Sequence, residues 1–259
     1  MGHIHLATLA KTRAWAEVIA AIAGGASVIS IAGQSAKAAE RDLGAAARDP
    51  VFIEAVRLVL SIPLAARQVD FANALRMAGL DVSGNPSLMD IVMAVTSRLD
   101  TVAKSSPAKT DFAELATRSA TSALVDCIGS DLPALFGPTA EDVRLSCRKF
   151  SYSAGIAVLT RTFFGVVVST SLSYWLDRVL AHHIGDGRRF ANVGERADFD
   201  RSLQQYTSEV TRIIQEFSGG WYGKTVYEKG GIGHAEARDF GYVSLKKITE
   251  ELRVRRGDG

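Results

Sequence analysis

The sequence predicts an all-α protein: a multi-helix bundle around one long hydrophobic helix, with a small extended or hairpin insert near the C-terminus. Three observations predict it. Apolar residues recur at three- and four-residue spacing through most of the 259 residues, the repeat of a one-sided helix. Residues 154–176, AGIAVLTRTFFGVVVSTSLSYWL, form an apolar run whose single charge is Arg161. By contrast, SGGWYGKTVYEKGGIG joins strand-favouring Trp221, Tyr222, Val226 and Tyr227 to flanking glycines.

Composition bounds the rest. With 47% hydrophobic and 22% charged residues the chain has the balance of a globular protein, not of a disordered one. The formal charge of +2 gives no global attraction to nucleic acid or anionic lipid. Two cysteines, Cys127 and Cys147, are too few for a disulfide framework or a four-cysteine zinc site. They read as small buried hydrophobes in a reducing, cytoplasmic setting. The opening MGHIHLATLAKTRAW lacks the pattern of a secretory signal, so export is not expected.

In chain order, residues 6–23 predict a first helix with Trp15, Val18, Ile19 and Ile22 as its apolar stripe, ended by Gly24 and Gly25. An alanine-rich helix follows over 27–47. The stretch AGGASVISIAGQSAKAAERDL has the sound of a helix-turn-helix, but too few residues separate Ile31-Ala32 from Ser35, and the alanine-rich helix offers few side chains to read bases. Close helix packing accounts for it better. Asp49-Pro50 signals an N-cap with proline at the first helical position, and Pro63 breaks or kinks the helix that starts there. Its continuation ends at Gly79.

Asn85-Pro86 signals the next helix, with Leu88, Ile91, Val92 and Val95 facing inward and Met89 and Met93 filling the core. The polar KSSPAK reads as a loop before a helix over 110–127, and GSDLPALFGPT reads as turns. Thr139 and Asp142 form a capping box, from which helical pattern runs to Ile184 with a break near 151–155. That leaves 154–184 as the central helix. A Gly- and Arg-rich loop carries Arg188, Arg189 and Arg196; helices over 198–217 and 234–254 flank the extended insert. The chain divides as residues 1–137 and 138–259, two closely packed helical subdomains.

Four patterns bear on chemistry. Gly219, Gly220, Gly223, Lys224 and Thr225 imitate the end of a phosphate-binding loop, but Ser218 stands where its first glycine belongs and the strand-then-helix order is missing. His182 and His183 are adjacent, about 100° apart on a helix, so they cannot share a metal as an i, i+4 pair does; a site centred on them is the enzymatic alternative. Arginines 188 and 189, Lys224 and the basic last helix and tail could hold a phosphate backbone, but acidic neighbours on that helix make ion pairing on a solvated face the simpler account. Finally, 154–176 has the length of a membrane span if Arg161 is tolerated inside it. Gly165, Ser169 and Ser173 recur every four residues along it, which suits a close helix-packing seam.

The expectation is a non-catalytic interaction or assembly subunit, without cofactor or metal, that binds a protein partner or forms homo-oligomers. Its contact surface would lie in the C-terminal third, on Arg188, Arg189, Trp221, Tyr222 and Lys224. Nucleic-acid or nucleotide binding, membrane insertion through 154–176 and a His182/His183 enzyme are the alternatives.

Overall fold

A computed structural model describes residues 12–106, 111–133 and 137–254. Among them are eleven α-helices and no strand. Helices α1 (Arg13–Ala23) and α2 (Val28–Ala46) form an N-terminal hairpin across the Gly24-Gly25 turn; α2 is unbroken where a helix-turn-helix would bend. Helix α3 (Pro50–Ala65) starts as its sequence predicts: the Asp49 carboxylate accepts from the Val51 and Phe52 amides at 2.8 and 3.1 Å, with Pro50 at the first position. Pro63 does not end it, because the helix runs on to Ala65 before turning into the short α4 (Phe71–Met77).

Helix α5 (Leu88–Ser105) is capped by a reciprocal Ser87–Asp90 box two residues later than the Asn85-Pro86 signal suggests. It takes in Lys104 and Ser105 of KSSPAK and is capped by Ser106; residues 107–109 lie outside the described residues. Helix α6 (Asp111–Leu124) widens into one π-helical turn, Val125–Gly129. The Thr139–Asp142 box then opens α7 (Ala140–Lys149), and α8 (Ser153–Leu180) follows after a three-residue corner.

Helix α8 has 28 residues and ends in a 3₁₀ turn, Ala181–His183. By length and hydropathy it could cross a membrane, yet 56% of its most apolar window is buried inside the protein. Helices α9 (Val193–Val210) and α10 (Arg212–Lys229) run back along it. Three contacts fix that antiparallel course: Arg196 pairs with Asp177, Arg161 donates to Gln215 Oε1 at 3.2 Å, and Gly219 lies on Ser153. A Cβ on Gly219 would stand 2.7 Å from the Ser153 carbonyl oxygen, so the backbone approach here needs glycine.

Helix α11 (His234–Val254) closes the bundle against α2 and α3, so buried side chains from both halves of the chain share one hydrophobic cluster. Its aromatic spine joins Phe52, Phe163, Phe164 and Phe240 at successive centroid distances of 6.2, 5.0 and 5.9 Å.

The extended insert is a correction. Residues 212–229 are helical to Lys229, and Gly230, at φ 73°, provides the left-handed C-cap. Tertiary packing overrides β-propensity: Tyr222 is 1% exposed, and Trp221 stacks on Phe240 at 4.4 Å. The extended pairing nearest to it is an isolated bridge between Ile184 and Phe190. Met89 and Met93 are corrected as well, since both lie on the solvent face of α5.

Candidate functional site

The small residues of α8 line a concave feature of the described surface. Gly165, Ser169 and Ser173 are half-buried and share one face, which lies between α6 on one side and α9–α10 on the other. A cleft of about 970 Å³ opens over Ser169, Ser173 and Tyr174, with Glu114, Arg118 and Asp126 on the α6 wall. On the opposite wall stand Asp200, Arg201 and Gln204. A second cleft, of about 370 Å³, continues over Gly165 toward Val158 and Arg161. Val166, Ser169 and Gln204 line both, so the two form one trough along α8.

The trough has an apolar lining of Leu115, Val158 and Val166 interleaved with charged side chains. Its walls are organised by Arg196, only 11% exposed, which binds both Asp177 and Asp200. Burial raises the Asp200 carboxyl, and the Arg196 hydrogen bond partly offsets this. Gly165 here is not a point of close backbone approach: an added Cβ would meet Thr211 Oγ1 at an ordinary 3.5 Å. The tight approaches lie instead at Gly155, against the Lys149 carbonyl, and at Gly219.

The residues expected to form a C-terminal contact surface are not brought together. Arg188 is exposed and donates to the His182 carbonyl. Arg189 turns inward: its Nη2 donates to the Ala26 carbonyl at 2.6 Å, and its guanidinium lies 5.4 and 5.7 Å from the Phe190 and Phe199 ring centres. Desolvation lowers its pKa. Lys224 is exposed and stands 3.9 Å from Glu228 Oε1. It sits past the α8 N-terminus, about 40 Å from the arginine loop, since α8 rises about 1.5 Å per residue between them. Tyr222 belongs to the core, not the surface. The basic tail, Arg255 and Arg256, lies outside the described residues, as do His3 and His5.

No catalytic constellation gathers at the paired histidines. His182 is exposed, His183 half-buried, and neither pairs with a carboxylate among the described residues. No group of three His, Cys, Asp or Glu there could hold a metal. Both thiols are buried and pushed up, Cys147 to about 12, because burial disfavours the thiolate.

A charge cluster that sequence reading missed sits elsewhere. Glu54, with a side chain 1% exposed, accepts from Arg57 Nε and Nη2 at 2.6 and 2.8 Å and from Arg98 Nε at 2.7 Å. His234 Nε2 stands 2.9 Å from its other side. Burial would raise the Glu54 carboxyl, but the two arginines outweigh it and hold it at about 2. So weak a base suits a tie rather than proton transfer: it links α3, α5 and α11, and Arg57 adds the Ala78 carbonyl at 2.7 Å. The signal was a Glu and an Arg three residues apart inside the apolar run VFIEAVRLVL.

Compared with known protein families, curated proteins and solved structures, the chain matches none.

Proposed function

We propose that this chain is a non-catalytic helical assembly subunit, organised around α8 as its central helix, and that it self-associates through the trough over that helix. The observation that carries the reading is the trough itself, a continuous recess floored by Gly165, Ser169 and Ser173. Its register is self-complementary. An antiparallel copy centred on Ser169 sets Gly165 opposite Ser173 and Ser169 opposite itself, as an isologous two-fold contact requires. Two unpaired, buried cysteines support a reducing, cytoplasmic setting.

Sedimentation velocity on the purified chain tests this. The expected particle is heavier than the 27.7 kDa chain and returns to a monomer when Ser169→Arg or Ser173→Arg fills the trough floor, with the helical circular dichroism and thermal midpoint kept. A wild-type monomer, or floor variants that fold and stay as heavy as the wild type, overturns the self-association reading.

A further inference from the structure

The chain's oxidisable sulfur is divided sharply between core and surface. Both thiols are buried, Cys147 at 0% and Cys127 at 8% exposure, and burial holds them protonated. Of the four methionines, three are described, and all are at the surface: Met77 is 84% exposed, Met93 63% and Met89 61%. Met89 and Met93 lie one turn apart on the outer face of α5. Met93 lines a 440 Å³ cleft with Asp81, Val82 and Arg98. Met77 is the last residue of α4, two residues before Gly79, which lines the same cleft. All three thioethers therefore stand within reach of a solvent-borne oxidant, and the two thiols do not.

We propose that Met77, Met89 and Met93 are oxidation sites whose reactant is a hydroperoxide, hydrogen peroxide in the simplest case. The thioether sulfur attacks one peroxide oxygen, an S–O bond forms and the O–O bond breaks. Sulfur loses two electrons, and the departing oxygen leaves as water once it takes the proton of the transferred OH. Each event turns an apolar side chain into a polar hydrogen-bond acceptor. Because none of the three fills the core, the face changes polarity while the fold is kept. Thiolate chemistry does not compete, since the buried Cys127 and Cys147 are neither ionised nor accessible. These sites are independent of the trough over α8.

The test is peroxide treatment of the whole folded chain, followed by peptide mass spectrometry, hydrophobic-interaction chromatography and thermal melting. The expected result is one added oxygen on each of the three methionines, with Met77 fastest, and unmodified cysteines. The oxidised protein elutes earlier, its midpoint moves by less than about 2 °C, and Met77→Leu/Met89→Leu/Met93→Leu shows no elution shift. Cysteine oxidation ahead of methionine, methionines that react only after denaturation, or a midpoint that falls in step with oxygen uptake overturns the proposal.

Discussion

The phenol of Tyr222 donates a hydrogen bond to the Leu60 carbonyl at 3.1 Å, across 162 residues of sequence. Leu60 follows Val59, whose carbonyl loses its intrahelical donor because Pro63 has no N–H. A side chain with the look of a surface aromatic thus ties α10 to buried α3 beside its proline. Burial also raises its pKa, so the hydroxyl stays protonated and able to donate.

Removing only that hydroxyl isolates the bond. Tyr222→Phe is expected to cost about 1–2 kcal/mol, because the buried carbonyl loses a partner while the ring still fills its space. Tyr222→Ala opens a cavity and is expected to cost about 3–5 kcal/mol. Urea unfolding of both variants measures this. A Phe variant as stable as the wild type would show that the hydroxyl does not support α3.

The Glu54 cluster gives the fold a pH dependence whose sign is fixed. Its folded-state carboxyl lies at about 2, below the ordinary value of 4.5, so its stabilisation is fully present above 4.5 and drains away as pH falls toward 2. Glu54→Gln is expected to lose about 3–5 kcal/mol near neutrality, because it leaves Arg57 buried without its anion. The same variant should flatten the acid limb of stability against pH. Urea midpoints taken between pH 2 and pH 7 check both effects; an acid limb unchanged in the variant would assign it to other carboxylates.

Two neighbouring glycines of α10 should respond oppositely to alanine. At Gly219 the new Cβ would press on the Ser153 carbonyl oxygen at 2.7 Å, and the overpacking is expected to cost about 1–3 kcal/mol. At Gly220 nothing lies within 4 Å, so the loss of backbone freedom in the unfolded chain should stabilise by about 0.4–1 kcal/mol. Thermal midpoints of the two variants measure the contrast. Equal effects would mean that the α8–α10 contact is looser than these distances indicate.

Helix starts were legible because they are local. The Asp49-Pro50 cap and the Thr139–Asp142 box depend on residues one to three apart, and both stand where the sequence placed them. What depends on a distant partner was not. WYGKTVY favours an extended chain by itself, and partners supplied from elsewhere, Phe240 and Leu60 among them, hold it as helix. Met89 and Met93 fit an apolar stripe, but the stripe that faces the core is Ile91, Val95 and Leu99. In the trough, the four-residue spacing of Gly165, Ser169 and Ser173 was visible, whereas the walls from α6 and α9 were not, since their residues come from far along the chain.

Arg188 and Arg189 looked interchangeable in sequence, and the structure separates them. Arg189 holds the 185–192 loop to the α1–α2 turn: it bonds the Ala26 carbonyl, lies beside Phe190 and Phe199, and has no carboxylate partner among the described residues. Its aromatic contacts and carbonyl bond must offset the cost of its desolvation. Arg189→Ala removes all of these at once and is expected to lower stability by about 1–3 kcal/mol, with faster amide exchange through the α1–α2 turn as the local sign. Arg188 is exposed, so Arg188→Ala should change stability by less than about 0.5 kcal/mol. Thermal unfolding with hydrogen exchange compares the two. If Arg188→Ala is the more damaging, the loop is held from its outer side, and Arg189 is not its anchor.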